Sequence, residues 1–296
     1  MANTIGTTKG DLIAQQALTT LLARIPLLTQ ITTSFGASTA NFNQRVVTHT
    51  VTAGSASSFN VATGYVPANR TQTDVPVTID KHYYHAFAVN DQEASESTIN
   101  LIERFAPTAA HALGKQIADD LFALVTAANY ANSTTSAAGA FDRPKVVDIS
   151  KAMNDRNVML DGRFMILAPG HYANLFKDTS IVSTDFGASG DAQSGMISSP
   201  VHGFAVSEYS ALPGNGENLV GIAGVRESLC LVTRIPELPQ ERSGGRLSVV
   251  TEPNTGLSVL VRQFYNWRIG QEEYAFTLMY GVAKANTGTL QRIVSA

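Results

Sequence analysis

The chain has 296 residues, of which 44% are hydrophobic and 15% are charged, and its formal net charge is −3. This length suffices for one or two domains with a substantial core, and the charge excludes whole-chain binding to nucleic acid by electrostatics alone. Because charged residues usually make up about 25% of a globular protein, a surface this poor in charge favours association with further copies over mutual repulsion. A secreted protein rich in Thr and Ser is the alternative.

The only cysteine, Cys230, lies in the apolar run LCLV, so we predict a buried thiol without a disulfide. The opening MANTIGTTKGDL lacks the apolar centre of a signal peptide. No apolar run approaches the roughly 18 residues of a membrane span. We therefore expect no membrane partner and synthesis in a cytoplasm.

Residues 1–44 are predicted to form an N-terminal arm. A short helix capped by Thr8 or Asp11 would extend to Ala23 and stop at Pro26. The stretch that follows is polar, so we expect the arm to hold no core position and to order only where it lies on another surface.

Residues 45–90 are predicted to form a long two-stranded ribbon, with strands Arg45–Thr52 and Val75–Val89. The second strand would span roughly 50 Å at about 3.3 Å per residue. Because an isolated two-stranded ribbon is marginally stable in water, it needs a neighbour. The apolar residues of the second strand share one parity: Val75, Val77, Ile79, Tyr83, Phe87 and Val89.

The segment from Asp91 to Asn129 is predicted to be the one long helix. Its apolar residues recur at steps of three or four, which places them on one side of a helix. Pro107 removes a backbone donor, so we expect a bend or a restart there, with the straight portion running to about Thr126. The predicted buried stripe consists of Ile99, Ile102, Ala106, Ala109, Leu113, Ile117, Leu121 and Leu124.

The remainder alternates helical and strand patterns. We predict a helix over Val146–Asn154, a buried strand at FMILA, a helix at HYANLFKD and a surface loop over 179–194. Further strands are predicted at SLCLVTRI, EEYAFTLMYGVAKA and TLQRIV. Leu247–Val250 and Leu257–Phe264 are predicted to form a hairpin.

No catalytic, cofactor or metal motif stands out. His82 and His85 would lie on opposite faces of a strand, which is poor geometry for one metal even if His49 came near. Asp119 and Asp120 are predicted to be a solvated acidic edge rather than a catalytic dyad. Nucleophile elbows, complete phosphate loops and zinc spacings do not occur in the sequence. Their absence does not exclude an enzyme with an unfamiliar active site.

The order of these parts resembles the major capsid (coat) proteins of tailed bacteriophages, which have the Hong Kong 97-like fold. In VPVTIDKHYYHAFAVNDQEASES a strand passes into an acidic helix start, and AAHALGKQIADDLFALV is similar to the spine helix of that family. GRFMILAPGHYANLFKD and HGFAVSEYSALP are similar to its strand–helix and Gly-Phe-x-Val stretches. SLCLVTRIPE and QFYNWRIGQEEYAFTLMYGVA are similar to its closing strands.

This resemblance implies an α+β fold with four parts. Residues 1–44 would be the N-terminal arm and 45–90 the extended loop, which lies across a neighbouring subunit. Residues 91–129 with 226–264 would form the peripheral domain that contains the spine helix. Residues 130–225 with 265–296 would form the axial domain.

The implied function is a structural protein, not an enzyme, that assembles as pentamers and hexamers into an icosahedral virion capsid in the bacterial host cytoplasm. The implied partners are copies of itself, a separate scaffolding protein, portal and decoration proteins, and double-stranded DNA bound without sequence specificity. No catalytic, cofactor-binding or metal residues are implied. The predicted subunit contacts are Arg45, Val47, Phe59, Tyr65, Arg70, Val77 and Tyr83.

Three alternatives remain at this stage. An encapsulin-type compartment shares the fold but packs an enzyme. A phage tail-tube or adhesion protein would give no reason for the long helix. An enzyme with an unrecognised site predicts a small oligomer with a pocket of convergent titratable groups.

Overall fold

The computed structural model describes residues 18, 25, 27–34, 38–51, 56–67, 72–96, 101–178, 181, 196, 197, 199–212, 215–237, 246–251 and 256–296. The helices are α1 (Leu27–Gln30), α2 (Asp91–Glu96), α3 (Leu101–Ala123), α4 (Arg143–Asn154) and α5 (Pro169–Phe176). Short 3₁₀ turns occupy Ala138–Ala140, Arg226–Ser228 and Thr287–Thr289.

The strands of the described residues form two larger sheets and one ribbon. They are β1 (Thr32–Ser34), β2 (Thr39–Ala40), β3 (Arg45–Val51), β4 (Gln72–Thr78), β5 (Lys81–Asn90), β6 (Ser133–Thr135), β7 (Arg163–Leu167), β8 (Ala205–Glu208), β9 (Leu219–Val225), β10 (Leu229–Pro236), β11 (Arg246–Thr251), β12 (Ser258–Asn266), β13 (Gln271–Lys284) and β14 (Gln291–Val294).

Strand β13 organises the larger sheet. Its first half pairs antiparallel with β12 and its second half with β10, while β5 runs along its other side. Strand β11 pairs with β12, so the predicted hairpin is confirmed, with Thr251 opposite Ser258. Because β13 joins β12 and β10 in one sheet, this sheet takes strands from both sides of the predicted domain boundary at residue 265.

The predicted ribbon is shorter than expected, and its second strand is wrong as a single element. Strand β3 pairs with β4 only from Arg45 opposite Thr78 to Val51 opposite Gln72. After Ile79 and Asp80 the chain enters β5, which pairs with β13 instead. The aromatic side chains explain this, because Phe87 stacks on Tyr274 at 5.3 Å between ring centroids, a contact that the ribbon alone could not supply.

Helix α3 confirms the predicted buried stripe over its described side chains. Ala106, Ala109, Leu113, Ile117 and Leu121 are buried against the larger sheet. Leu124 follows the helix and is half-buried. Ile99 lies outside the described residues, as does the side chain of Ile102.

Of the two alternatives expected at Pro107, the restart is wrong, because α3 is one helix from Leu101 to Ala123 with Pro107 inside it, and the bend stays a prediction. A proline removes a single backbone hydrogen bond, and the helix keeps its neighbours' bonds and its packed alanine face. Beyond the helix, the side-chain amide of Asn215 donates to the carbonyls of Phe122 and Val125, at 3.3 and 2.8 Å. The Val125 carbonyl beyond the helix end thereby gains a side-chain donor, and the Phe122 carbonyl accepts this bond in addition to one from the Val125 amide at 2.9 Å.

The smaller sheet has the order β6-β14-β9-β7-β8. The predicted strand at FMILA is confirmed as β7, which is buried along its whole length. The predicted helices around it are confirmed as α4 and α5, and they cover the sheet with a separate apolar core. The predicted loop 179–194 lies outside the described residues except for residue 181.

The expectation that the N-terminal arm holds no core position is wrong. Ile25, Leu27, Leu28 and Ile31 are buried in the core beneath α3. Strand β1 then pairs parallel with β10, with Thr32 opposite Cys230. The physical reason is the spacing of four between Leu27 and Ile31, which puts both on one side of a helical turn. The predicted helix ending at Ala23 lies outside the described residues apart from the buried Leu18.

Two smaller predictions concern single residues and spans. Cys230 is a buried thiol, as predicted. Within the described residues, no helix has both the length and the apolar character required to cross a bilayer.

Candidate self-assembly surfaces

The tip of the ribbon, residues 56–67, exposes several large apolar side chains. Phe59 is 58% exposed, Val61 89% and Tyr65 91%. Tyr65 contacts Phe59, with 4.9 Å between the ring centroids. The turn between them is defined, since the amide of Gly64 donates to the carbonyl of Asn60 at 2.8 Å. Gly64 has a φ of +65°, a conformation that glycine adopts readily.

The base of the ribbon is fixed to the larger sheet. Val77 and Ile79 are fully buried, and they form a small core with Cys230, Val232 and Met279. A side chain at Gly281 would collide with the carbonyl of Thr78, so glycine allows β4 to approach β13 closely. The ribbon is therefore anchored at one end and exposes its apolar side chains at the other.

The predicted contact residues divide between these two ends. Phe59 and Tyr65 lie on the tip, and Arg45 and Val47 are exposed on β3. Tyr83 is 38% exposed and stacks on Tyr280.

Of the other two predicted contacts, only Val77 is described, and it does not belong to this exposed set. Val77 has no exposed surface, because it faces the small core at the ribbon base, so its side chain is not available for a subunit contact. Arg70 lies outside the described residues.

The sequence pattern did not reveal a second exposed tip, because its residues were predicted to belong to a closing strand. The turn 267–270 joins β12 to β13, and Trp267 and Ile269 on it are 76% and 59% exposed. The hydroxyl of Tyr265 donates to the Asp91 carboxylate at 2.6 Å, which ties this turn to α2. The signal in the sequence was an aromatic and an aliphatic residue on either side of Arg268 in a short turn before a glycine.

The predicted solvated edge at Asp119 and Asp120 is wrong for Asp120. Its carboxylate accepts from the Tyr280 hydroxyl at 2.6 Å and lies 3.6 Å from the ammonium of Lys81. Burial and this hydrogen bond raise the pKa of Tyr280 above its ordinary value. Asp119 pairs with Lys115 one helical turn away, at 2.6 Å. Asp120 therefore links α3 to the larger sheet.

The end of α3 is linked to the smaller sheet by a second ion pair. The Arg292 guanidinium lies 2.5 Å from the Glu217 carboxylate and donates to the Tyr130 carbonyl at 2.7 Å. The two oxygens of Glu217 also accept from the backbone amide of Ala127, at 2.8 and 2.7 Å. This junction fixes the position of one sheet relative to the helix that packs on the other.

The titratable groups do not converge on a reactive centre in the part of the chain that the structure describes. His82 is exposed while His85 is half-buried. Burial, and then the nearby charge of Arg262, lowers the pKa of His82. No cluster of three or more His, Cys, Asp or Glu side chains among the described residues is placed to hold a metal. The pocket between α3 and the larger sheet is lined by apolar residues, including Leu113, Ile117 and Phe276.

Comparison with known proteins agrees with this arrangement. Residues 72–255 match the family model described as phage capsid protein. No curated protein matches the chain.

Several solved capsid structures are similar over nearly the whole chain. The capsid of Cyanophage P-SCSP1u has a TM-score of 0.60 at 12% identity, covering 90% of this chain and 86% of that one. The mature capsid of bacteriophage PhiM1 has a TM-score of 0.58 at 11% identity, covering 89% and 85%. A virus-like particle from Pyrococcus furiosus has a TM-score of 0.53 at 13% identity, covering 95% and 97%.

At these identities the solved structures establish the fold, which is the Hong Kong 97-like fold predicted from the order of elements. The family model covers more than half of the sequence and therefore establishes kinship. The chain belongs to the phage capsid protein family, as a structural major capsid protein.

Proposed function

We propose that copies of this chain assemble into a closed icosahedral shell of hexamers and pentamers, and that the ribbon tip of each copy docks on a neighbouring copy. The observation that carries this proposal is the contrast within the ribbon. Its base is buried in its own subunit, whereas its tip exposes Phe59, Val61, Tyr65 and Val66. A cluster of exposed large apolar side chains marks an interaction site, and aromatic side chains are enriched in interface centres.

Arg45, Val47 and Tyr83 complete the proposed contact surface on the exposed part of the ribbon and on β5. Arg70 is also proposed as a subunit contact, and this part of the proposal rests on the sequence alone. The second tip, with Trp267 and Ile269, is a further surface of the same kind. Head-to-tail contacts of this type close into rings when the rotation between copies allows it.

The two sheets support a revised division into domains. We assign α3 and the larger sheet, including residues 226–286, to the peripheral domain. The smaller sheet with α4 and α5, from residues 130–225 and 287–296, is assigned to the axial domain. This change moves β13 out of the axial domain, because β13 pairs with β5, β10 and β12.

The proposed contents of the shell are double-stranded DNA, held without sequence-specific contacts. A net charge of −3 argues against a strong electrostatic attraction to phosphate over the whole subunit. Assembly in the cytoplasm of a bacterial host, with a separate scaffolding protein and with portal and decoration proteins, completes the proposal. Family membership argues against an enzyme and favours a phage capsid over a compartment that packs an enzyme.

Negative-stain microscopy of the purified protein tests the proposal. We expect uniform shells, and nucleic acid rather than a bound enzyme in shells isolated from infected cells. The variant F59S/V61S/Y65S/V66S should fold normally but form few or no shells, because its tip no longer removes apolar surface from water.

The matched control is Val147→Ser, which changes an exposed apolar residue on α4. Shells of normal size and yield from the quadruple variant would contradict the role of the tip. A wild-type protein that forms only small oligomers would contradict the shell itself.

A further inference from the structure

A third exposed apolar surface lies on the smaller-sheet side of the molecule, in the loop between α4 and β7. Met159 and Leu160 in this loop are 65% and 66% exposed. They follow each other directly, with Asp161 after them, while the buried Val158 separates them from Asn157. Two adjacent large apolar side chains with this exposure indicate an interaction site.

A buried arginine holds the loop in place. Arg163 is only 2% exposed. Its guanidinium donates to the backbone carbonyls of Met159 and Val158, at 2.7 and 2.6 Å. It also donates to Asn154 Oδ1 at 2.7 Å and to Ser150 Oγ at 3.3 Å.

This arginine has no carboxylate within ion-pair distance among the described residues. A buried charge is costly unless its donors are satisfied, and burial lowers the pKa of Arg163 accordingly. Four neutral acceptors satisfy it, and two of them are carbonyls of the loop itself. The arginine therefore acts as a positioning residue that fixes the backbone on which Met159 and Leu160 stand.

The rest of the loop is equally defined. Val158 is 8% exposed and packs into the core of the smaller sheet, and its amide donates to the Met153 carbonyl at 3.1 Å. Asn157 and Gly162 have φ values of 56° and 68°, so the loop turns sharply at both ends. The side chain of Val158 is therefore buried, whereas the side chains of Met159 and Leu160 that follow it are exposed.

We infer that the Met159–Leu160 loop, held by Arg163, is a contact surface for a second copy of this chain, distinct from the ribbon tip. This inference rests on the proposed self-assembly. A rigid apolar pair within a polar rim is the arrangement of an interface hot spot, and a surface ordered before binding loses less entropy on binding. Met is enriched at interface centres.

The charge of the residues around the loop favours a second copy of this chain as the partner. Residues 142–163 contain four aspartates and five lysines or arginines, and no glutamate or histidine. The charges alternate along α4, with Lys145 near Asp148 and Lys151 near Asp155. A nearly neutral surface of this kind does not repel its own copy, whereas DNA or an anionic membrane would require a clear excess of positive charge.

The test is the protein concentration at which half of the chain is assembled, measured by sedimentation velocity on the full-length protein. The double variant M159S/L160S should keep the wild-type circular dichroism spectrum and urea midpoint, yet raise this concentration at least tenfold. Val147→Ser, on helix α4 before the loop, is the control and should stay within twofold of wild type.

Arg163→Gln tests the positioning role. Amide hydrogen exchange in residues 157–161 of the unassembled protein should become faster, and assembly should weaken although both apolar side chains remain. If this variant does not fold, the double variant still decides the matter, because it changes only exposed side chains.

Each other outcome counts against the inference. Assembly of M159S/L160S within twofold of wild type overturns a contact between copies at this loop, whatever else the loop binds. An equal loss in Val147→Ser overturns it too, since the effect would then not be specific to the Met159–Leu160 loop. Wild-type protein that remains monomeric contradicts the shell proposal together with this inference, whereas wild-type shells with an unaffected double variant contradict the inference alone.

Discussion

The buried face of helix α3 and the tip of the ribbon are both rich in apolar side chains, but their surroundings differ. On α3, Leu121 is fully buried by the larger sheet of the same chain. On the tip, Val61 is 89% exposed, and none of the described residues of its own chain covers it. The first set stabilises the subunit, and the second is available only to another molecule. Apolar composition alone therefore does not distinguish a core from an interface. The distinction depends on whether the same chain or another molecule covers the apolar side chains.

The largest expected effect comes from the core side of this comparison. Leu121→Ala should lower the free energy of unfolding by about 2–5 kcal/mol, because it removes transfer free energy and leaves a cavity beneath α3. The urea midpoint of the unassembled protein measures this loss. Ala112→Ser, at an exposed position of the same helix, should change the value by no more than about 0.5 kcal/mol. Equal stabilities of the two variants would mean that the packed face is assigned incorrectly.

The extent to which the sequence predicted this helix follows from its period. Steps of three and four from Ala106 to Leu121 identify one side of a helix, whatever that side packs against. The predicted restart of the helix at Pro107 is wrong, because the prediction considered only the backbone hydrogen bond that a proline removes. The helix continues because tertiary packing stabilises it.

The ribbon shows where such reasoning stops. The apolar residues from Val75 to Val89 alternate with one parity throughout. This alternation does not indicate that the partner strand changes at Ile79 and Asp80. Pairing of β5 with β13 joins residues nearly two hundred positions apart, and nothing local specifies it. The same holds for the loop at Met159, where the supporting Arg163 lies at the start of a strand that looked purely apolar.

A second expected effect concerns the junction between the two sheets. Glu217→Gln should destabilise the protein by about 1–3 kcal/mol, since it removes the charge that faces the buried Arg292 while an amide oxygen remains as acceptor. Calorimetry of the unassembled protein measures the change. Glu208→Gln, at an exposed position on β8, serves as the control. A Glu217→Gln protein as stable as the control would show that the junction positions the sheets without stabilising them.

A third effect depends on pH and again concerns the core beneath α3. Tyr209 stacks on Phe122, and its buried hydroxyl has no hydrogen-bond partner among the residues that the structure describes. Burial, and then the negative charge of Asp119, raises the pKa of Tyr209 to about 12. An unfolded tyrosine titrates near pH 10, so the folded state retains the proton longer. The resulting stabilisation is complete below about pH 10 and is lost as the pH rises towards 12.

Urea unfolding at several alkaline pH values checks this dependence. The wild-type protein should lose more stability between pH 10 and about 12 than Tyr209→Phe does. At neutral pH the two proteins should be nearly equal, because the phenylalanine removes a hydroxyl that has no partner. Parallel curves for both proteins would contradict the raised pKa.

The smallest expected effect on stability lies at the ribbon tip, and it separates the two surfaces most clearly. Val61→Ser should change the free energy of unfolding by less than about 0.5 kcal/mol, because the side chain is exposed in the isolated subunit and unfolding exposes little more of it. In the shell the same change should weaken assembly, since the tip would then bury a hydroxyl in place of a branched alkyl group. Leu121→Ala should show the reverse order of effects, with a large loss of stability in the isolated subunit. If Val61→Ser destabilised the subunit as Leu121→Ala does, the tip would be part of the subunit's own core, and its exposed apolar side chains would no longer indicate a neighbour.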